Sequence, residues 1–79
     1  METNTRPLYA IADEIRTDWS NVYFGAKPYL DAMGTLNLIS DSYYLDSADS
    51  IVRYFLSNAS SWRGETARRV KAELKGMLK

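Results

Sequence analysis

Asp13, Glu14 and Asp18 bring three carboxylates together in the first quarter of the chain. Paired carboxylates can divide general-acid and general-base work, provided a cleft perturbs one of them. Asp13 and Glu14 are adjacent and leave a helix on different sides, whereas Glu14 and Asp18, four residues apart, share a face. A solvated acidic patch is the simpler expectation for that pair. Asp41, Asp46 and Asp49 form a second group that suggests a calcium loop only superficially. It lacks the alternating ligands, the central glycine and the closing glutamate of such loops. Helix capping and loop solubility account for it better. Histidine and cysteine are both absent. That removes the commonest general base, the usual triad partner, the thiol nucleophile, zinc ribbons and disulfides. The four glycines stand apart from one another and make no phosphate cradle. The expectation is a protein with no catalytic residue, no metal and no cofactor.

Charge is more informative than catalysis. Residues 1–61 carry four basic and eight acidic side chains, a balance of −4, and residues 62–79 carry six basic and two acidic, a balance of +4. At about 100° per residue, Arg68, Lys71, Lys75 and Lys79 fall within about 80° of one another on a helix. They make a basic ridge beside an apolar stripe. The ridge can face the acidic side of the first helix or the Asp-rich loop, or be a solvated face helped by a Glu65–Arg69 pair at four-residue spacing. Its functional alternative is a surface for an acidic partner, with Trp62, Arg63, Arg68, Lys71 and Lys75 as the contact residues. Trp62 either packs the start of the last helix onto Phe55 or Trp19, or stands exposed beside Arg63 as an interface anchor.

These residues need elements to position them. Leu8, Ile11, Ala12, Ile15 and Trp19 recur at helical spacing and predict a helix over about 6–18, capped by Asn4 or Thr5, with Pro7 tolerated in its first turn. Val22, Ala26, Leu30 and Met33 continue the pattern across Pro28. That proline leaves two readings: one kinked helix, or a turn over 20–25 followed by a helix that Pro28 begins. A break near Pro28 is favoured, and Gly34 closes either version. Residues 35–46 have no sustained period and read as a loop with one short helical turn. A two-stranded hairpin there would lack the tight-turn dipeptides. Asp46 or Ser47 then caps a helix with Ile51, Tyr54, Phe55 and Asn58 on one face, widened by Val52 and Leu56. Ser60 or Ser61 caps the last helix, whose apolar stripe is Ala67, Val70, Leu74, Met77 and Leu78. The predicted fold is all-α: one compact domain over residues 1–79, a bundle of four or five helices with one broken near Pro28.

Seventy-nine residues, 46% hydrophobic and 25% charged, fit one small globular core rather than disorder. The first residues show no signal-peptide pattern and no apolar run is long enough to span a membrane, so a cytoplasmic protein is expected. Six tyrosines exceed what so small a core needs and suit an interface, with another protein or with a second copy. Were nucleic acid the target instead, residues 48–75 would form a helix-turn-helix. Its turn would be "NASS", and Trp62, Arg63, Thr66 and Arg69 would sit near the start of the recognition helix. A net charge of zero and an isoelectric point near 6.2 weigh against that alternative.

The stretches "DEIRTDWSNVYFGAKPYLDAM" and "IVRYFLSNASSWRGETARRVKAELK" resemble small proteins carried by phages and mobile elements of Gram-positive bacteria. The resemblance runs from Leu8 onward and implies a setting, in which proteins of this size act as regulators or as stoichiometric inhibitors of a host system. It carries over no catalytic or binding residue.

Overall fold

The computed structural model describes residues 6–78. Four helices and one small hairpin make up the fold: α1 (Leu8–Asp18), α2 (Lys27–Met33), β1 (Ser42–Tyr43), β2 (Asp46–Ser47), α3 (Ala48–Ser57) and α4 (Glu65–Met77). The protein is therefore mostly helical rather than strictly all-α, with four helices among the described residues.

The first helix begins at Leu8 with Pro7 in extended geometry before it. Its proposed caps, Asn4 and Thr5, lie outside the described residues. Two of its otherwise orphaned N–H groups are taken up from elsewhere in the chain: Leu8 donates to the Asn37 carbonyl at 2.8 Å and Tyr9 to the Leu36 carbonyl at 2.9 Å. This ties the start of α1 to the loop after α2. Of the two readings at Pro28, the turn followed by a new helix is the one adopted. Proline occupies the first turn of α2, where it has no hydrogen bond to break. No helix is broken internally at this point.

The segment after α2 departs from the expected loop with a helical turn. Ser42 pairs with Ser47 and Tyr43 with Asp46 in an antiparallel hairpin. Tyr44 and Leu45 form its two-residue turn, with Tyr44 at a φ of 55°. A tyrosine in that left-handed region is uncommon, and the usual Asn-Gly or Asp-Gly signal is missing, so nothing local announces the turn. Ser47 caps α3 as expected: its hydroxyl accepts from the Ser50 N–H at 3.3 Å and donates to the Asp49 carboxylate at 2.6 Å.

All four helices meet in one apolar core. Leu8, Ile11 and Ile15 of α1, Leu30 and Met33 of α2, Ile51, Val52 and Phe55 of α3, and Val70 and Leu74 of α4 are buried. Each such side chain contributes about 1.5–3 kcal/mol on leaving water. Trp19, Ala59 and Trp62 extend the core into the connections. No polar or charged residue among those described is fully buried. No helix is long and apolar enough to cross a membrane.

Candidate functional site

Trp62 organises the start of the last helix from inside. It is only 2% exposed. Its indole stacks on Trp19 with ring centres 5.7 Å apart and planes 9° apart, while Trp19 meets Phe55 edge-on at 6.2 Å. The Trp62 Nε1–H donates to Asp18 Oδ2 at 2.8 Å, so the polar edge of the ring has a partner. Trp62 thus packs onto Trp19 and is not an exposed anchor. This corrects its place among the partner-contacting residues.

Burying Trp62 shifts the helix start. The connection from α3 runs over residues 58–64, and α4 begins at Glu65 rather than just after Ser60 or Ser61. Gly64 precedes it at a φ of 114°, open to a side chain sterically but in a backbone region that L-residues rarely enter. For the helix-turn-helix alternative the consequences are direct. The turn is longer than the three or four residues usual in that motif. Trp62 and Arg63 precede the second helix instead of opening it, and Thr66 is half-buried.

Apart from Lys27 at the start of α2, the described arginines and lysines divide into two sets. One set holds the fold. Arg69 pairs with Glu14 across α4 and α1. Arg6 Nη2 reaches both Glu14 Oε1 at 2.8 Å and Glu73 Oε1 at 2.7 Å, and Arg6 Nε donates to Glu73 Oε2 at 3.0 Å. Arg16 bonds Asp31 at 2.8 Å, joining α1 to α2. The carboxylates that could have formed a catalytic pair are thereby occupied, Glu14 by two arginines and Asp18 by an indole. Arg69 turns to Glu14, not to Glu65, so it too leaves the set of free DNA-contacting residues.

The Arg69 hydrogen bond, opposed by burial and reinforced by Arg6, holds the Glu14 carboxyl below its ordinary value of 4.5. A carboxyl lowered by folding contributes stability that is complete above its unfolded pKa and is lost as pH falls through its folded pKa. Urea midpoints should therefore hold from neutral pH down to about 5 and decline below the ordinary glutamate range. In Glu14→Gln the neutral-pH midpoint should be lower and the acid decline shallower. An unchanged acid profile in that variant would contradict the role given to Glu14.

The second set of cations is unpaired. Arg63, Arg68 and Lys75 have no ion pair or hydrogen bond to any described residue. Arg63 and Arg68 line a cleft of about 330 Å³ together with Ser60, Trp62, Gly64, Ala67 and Lys71, and Lys75 acts on Lys71 from outside that lining. The lining is buried at Trp62 and Ala67 and exposed at Arg63 and Arg68. Lys71 is half-buried, its ammonium donating to the Trp62 carbonyl at 2.7 Å and lying 5.9 Å from the indole centre. Burial first, then the positive charges of Lys75 and Arg63, push the Lys71 ammonium below its ordinary pKa. Like charges are thus gathered here without a carboxylate partner among the described residues. Lys79, the last member of the expected ridge, lies outside the described residues. A second hollow of about 260 Å³, lined by Tyr23, Ser57, Asn58, Ser60 and Ser61, shares Ser60 with the cleft.

Four of the five residues expected to meet a partner therefore cluster at one surface: Arg63, Arg68 and Lys71 around the cleft, with Lys75 close enough to act on Lys71. Sequence reasoning missed Gly64 and Ala67 in its lining. The signal for Gly64 was present, since a glycine is a poor resident of a helical first turn. Among the described residues no group of three or more histidines, cysteines or carboxylates assembles into a metal site. Family models, curated proteins and solved structures all give no match to the chain, so the reading of this surface rests on its own chemistry.

Proposed function

We propose that the chain is a small non-enzymatic interaction module whose basic cleft, lined by Arg63, Arg68 and Lys71 with Lys75 near Lys71, receives an acidic surface of a partner protein. A regulator or inhibitor of a host system is the setting that fits such a module. One observation carries this reading: Arg63, Arg68 and Lys71 have no carboxylate partner among the described residues, while Arg6, Arg16, Arg53 and Arg69 have one and, of the cations on the other helices, Lys27 alone among those described does not. Assembling unpaired cations costs self-repulsion, and an approaching anionic surface converts that cost into attraction and faster encounter. Trp62 and Ala67 are buried and give the cleft its fixed floor, so the contact surface itself is the exposed Arg63 and Arg68 with the half-buried Lys71.

The test is a capture experiment with two baits, the wild-type chain and Arg63→Gln/Arg68→Gln/Lys75→Gln, incubated with nuclease-treated lysate of the native host. A protein retained by the first bait, reduced about tenfold or more on the second and released by salt, supports the reading. Recovery of no protein that depends on these residues counts against it. Capture seen in a parallel untreated lysate but absent from the nuclease-treated one transfers the surface to the DNA-binding alternative.

A further inference from the structure

The hairpin at the other end of α3 presents the surface that this cleft is built to receive. Tyr44 and Leu45, at its tip, are 88% and 101% exposed. The Tyr44 backbone sits at a φ of 55°, a left-handed conformation that non-glycine residues seldom adopt. Its ring meets the neighbouring Tyr43 ring edge-on at 4.8 Å. Folding gains little from a strained, solvent-facing aromatic beside a fully exposed leucine, so the return on this arrangement lies outside the monomer.

The tip is also acidic. From residue 28 to residue 52 the chain has four aspartates and no lysine or arginine. Asp46, at the foot of the turn, has no ion pair or hydrogen bond to any described residue through its side chain. Asp41 Oδ2 accepts from the Asn37 and Leu38 N–H groups at 3.1 and 2.9 Å, which fixes a second negative charge beside the hairpin. The helix between the two poles, α3, has ten residues and so spans about 15 Å. An apolar tip with carboxylates at its base thus lies at one end of α3, and a cleft with a partly apolar lining and unpaired cations lies beyond the other.

We infer that the cleft of one copy takes the Tyr44–Leu45 tip of a second copy, with Asp46 of the incoming hairpin against Arg63 and Arg68. This rests on the reading that the cleft receives acidic surfaces, and it names the occupant. Knob and cleft are different surfaces, so the contact is head-to-tail and each added copy leaves one of each free. A net charge of zero lets such a series grow without accumulating repulsion. A two-residue tip covers well under the roughly 1,600 Å² of a standard interface. Association is therefore weak, with a Kd on the order of 0.1–1 mM at low salt.

Sedimentation equilibrium on the full chain tests this with two complementary variants. Tyr44→Gly/Leu45→Ser removes the knob and also relieves the turn, so its fold stands. Arg63→Glu/Arg68→Glu removes the cleft while leaving the knob. The average mass of the wild type should climb as concentration approaches about 1 mM, and should fall back in about 0.5 M salt, where the screening length shortens to a few ångströms. Each variant alone should remain monomeric. Mixed in equal amounts, the variants should form dimers and nothing larger, because only one productive contact remains. A wild type that stays monomeric throughout overturns the inference, as do variants that self-associate alone or a mixture that fails to pair. If the wild type stays monomeric but still binds an aspartate-rich peptide in a manner lost in Arg63→Glu/Arg68→Glu, the cleft reading survives and self-docking alone is refuted.

Discussion

Trp62→Ala should lower unfolding stability by about 3–5 kcal/mol, the usual cost of deleting a large buried aromatic. A domain of this size has little more than that to lose, so the variant should be largely unfolded at 25 °C in modest urea. Three losses coincide at this residue. The stack on Trp19 goes, the Asp18 carboxylate loses its indole donor, and a void opens beneath the seven-residue connection that leads into α4. Trp62→Phe keeps much of the ring and should lose mainly the hydrogen bond, about 1 kcal/mol. Far-UV circular dichroism in a urea series reads both variants. A loss below about 1 kcal/mol in Trp62→Ala would mean that the indole is not packed as described.

Arg63→Glu/Arg68→Glu should behave in the opposite way. Both side chains are exposed and unpaired among the described residues, so reversing them should move stability by no more than about 0.5 kcal/mol. Affinity for an acidic partner should nevertheless fall by about 100-fold or more, since two attractions become two repulsions at the contact. Arg69→Glu is the informative control. It sets a carboxylate against Glu14 and should destabilise the fold while leaving the cleft cations in place. Titration calorimetry with the captured partner, paired with urea unfolding, separates the two behaviours. A cleft variant that unfolds, or one that binds undiminished, would break the division of the cations into structural and recognition sets.

That division shows where sequence reading succeeds and where it stops. The spacing of Leu8, Ile11, Ala12 and Ile15 marks the buried face of α1 directly, because helical periodicity is local; on α3 it places Ile51, Val52 and Phe55 correctly but not Tyr54, which is exposed, or Asn58, which is half-buried. Pro28 at the head of α2 and Ser47 as the α3 cap are equally local signals. The start of α4 was not legible. Ser60 and Ser61 are sound caps in isolation, but burying Trp62 against Trp19, 43 residues earlier, draws the chain inward and moves the helix start to Glu65. The hairpin escaped because its turn uses a tyrosine where a glycine or asparagine would have announced it. For the site, the gathering of Arg68, Lys71 and Lys75 followed from arithmetic on a helix. Which neighbours were already paired did not: Arg68 and Arg69 are indistinguishable in sequence, and only the position of α1 makes one structural and the other free.

In the proposed reading, Arg63, Arg68 and Lys71, which have no carboxylate partner among the described residues, form the recognition surface. An ¹⁵N–¹H correlation titration of the wild-type chain with an aspartate- and glutamate-rich peptide at low salt tests it most directly. The account predicts saturable shifts concentrated at Ser60, Arg63, Gly64, Ala67, Arg68 and Lys71, weakening steeply as salt is raised. Shifts centred elsewhere, or none at low salt, would contradict it.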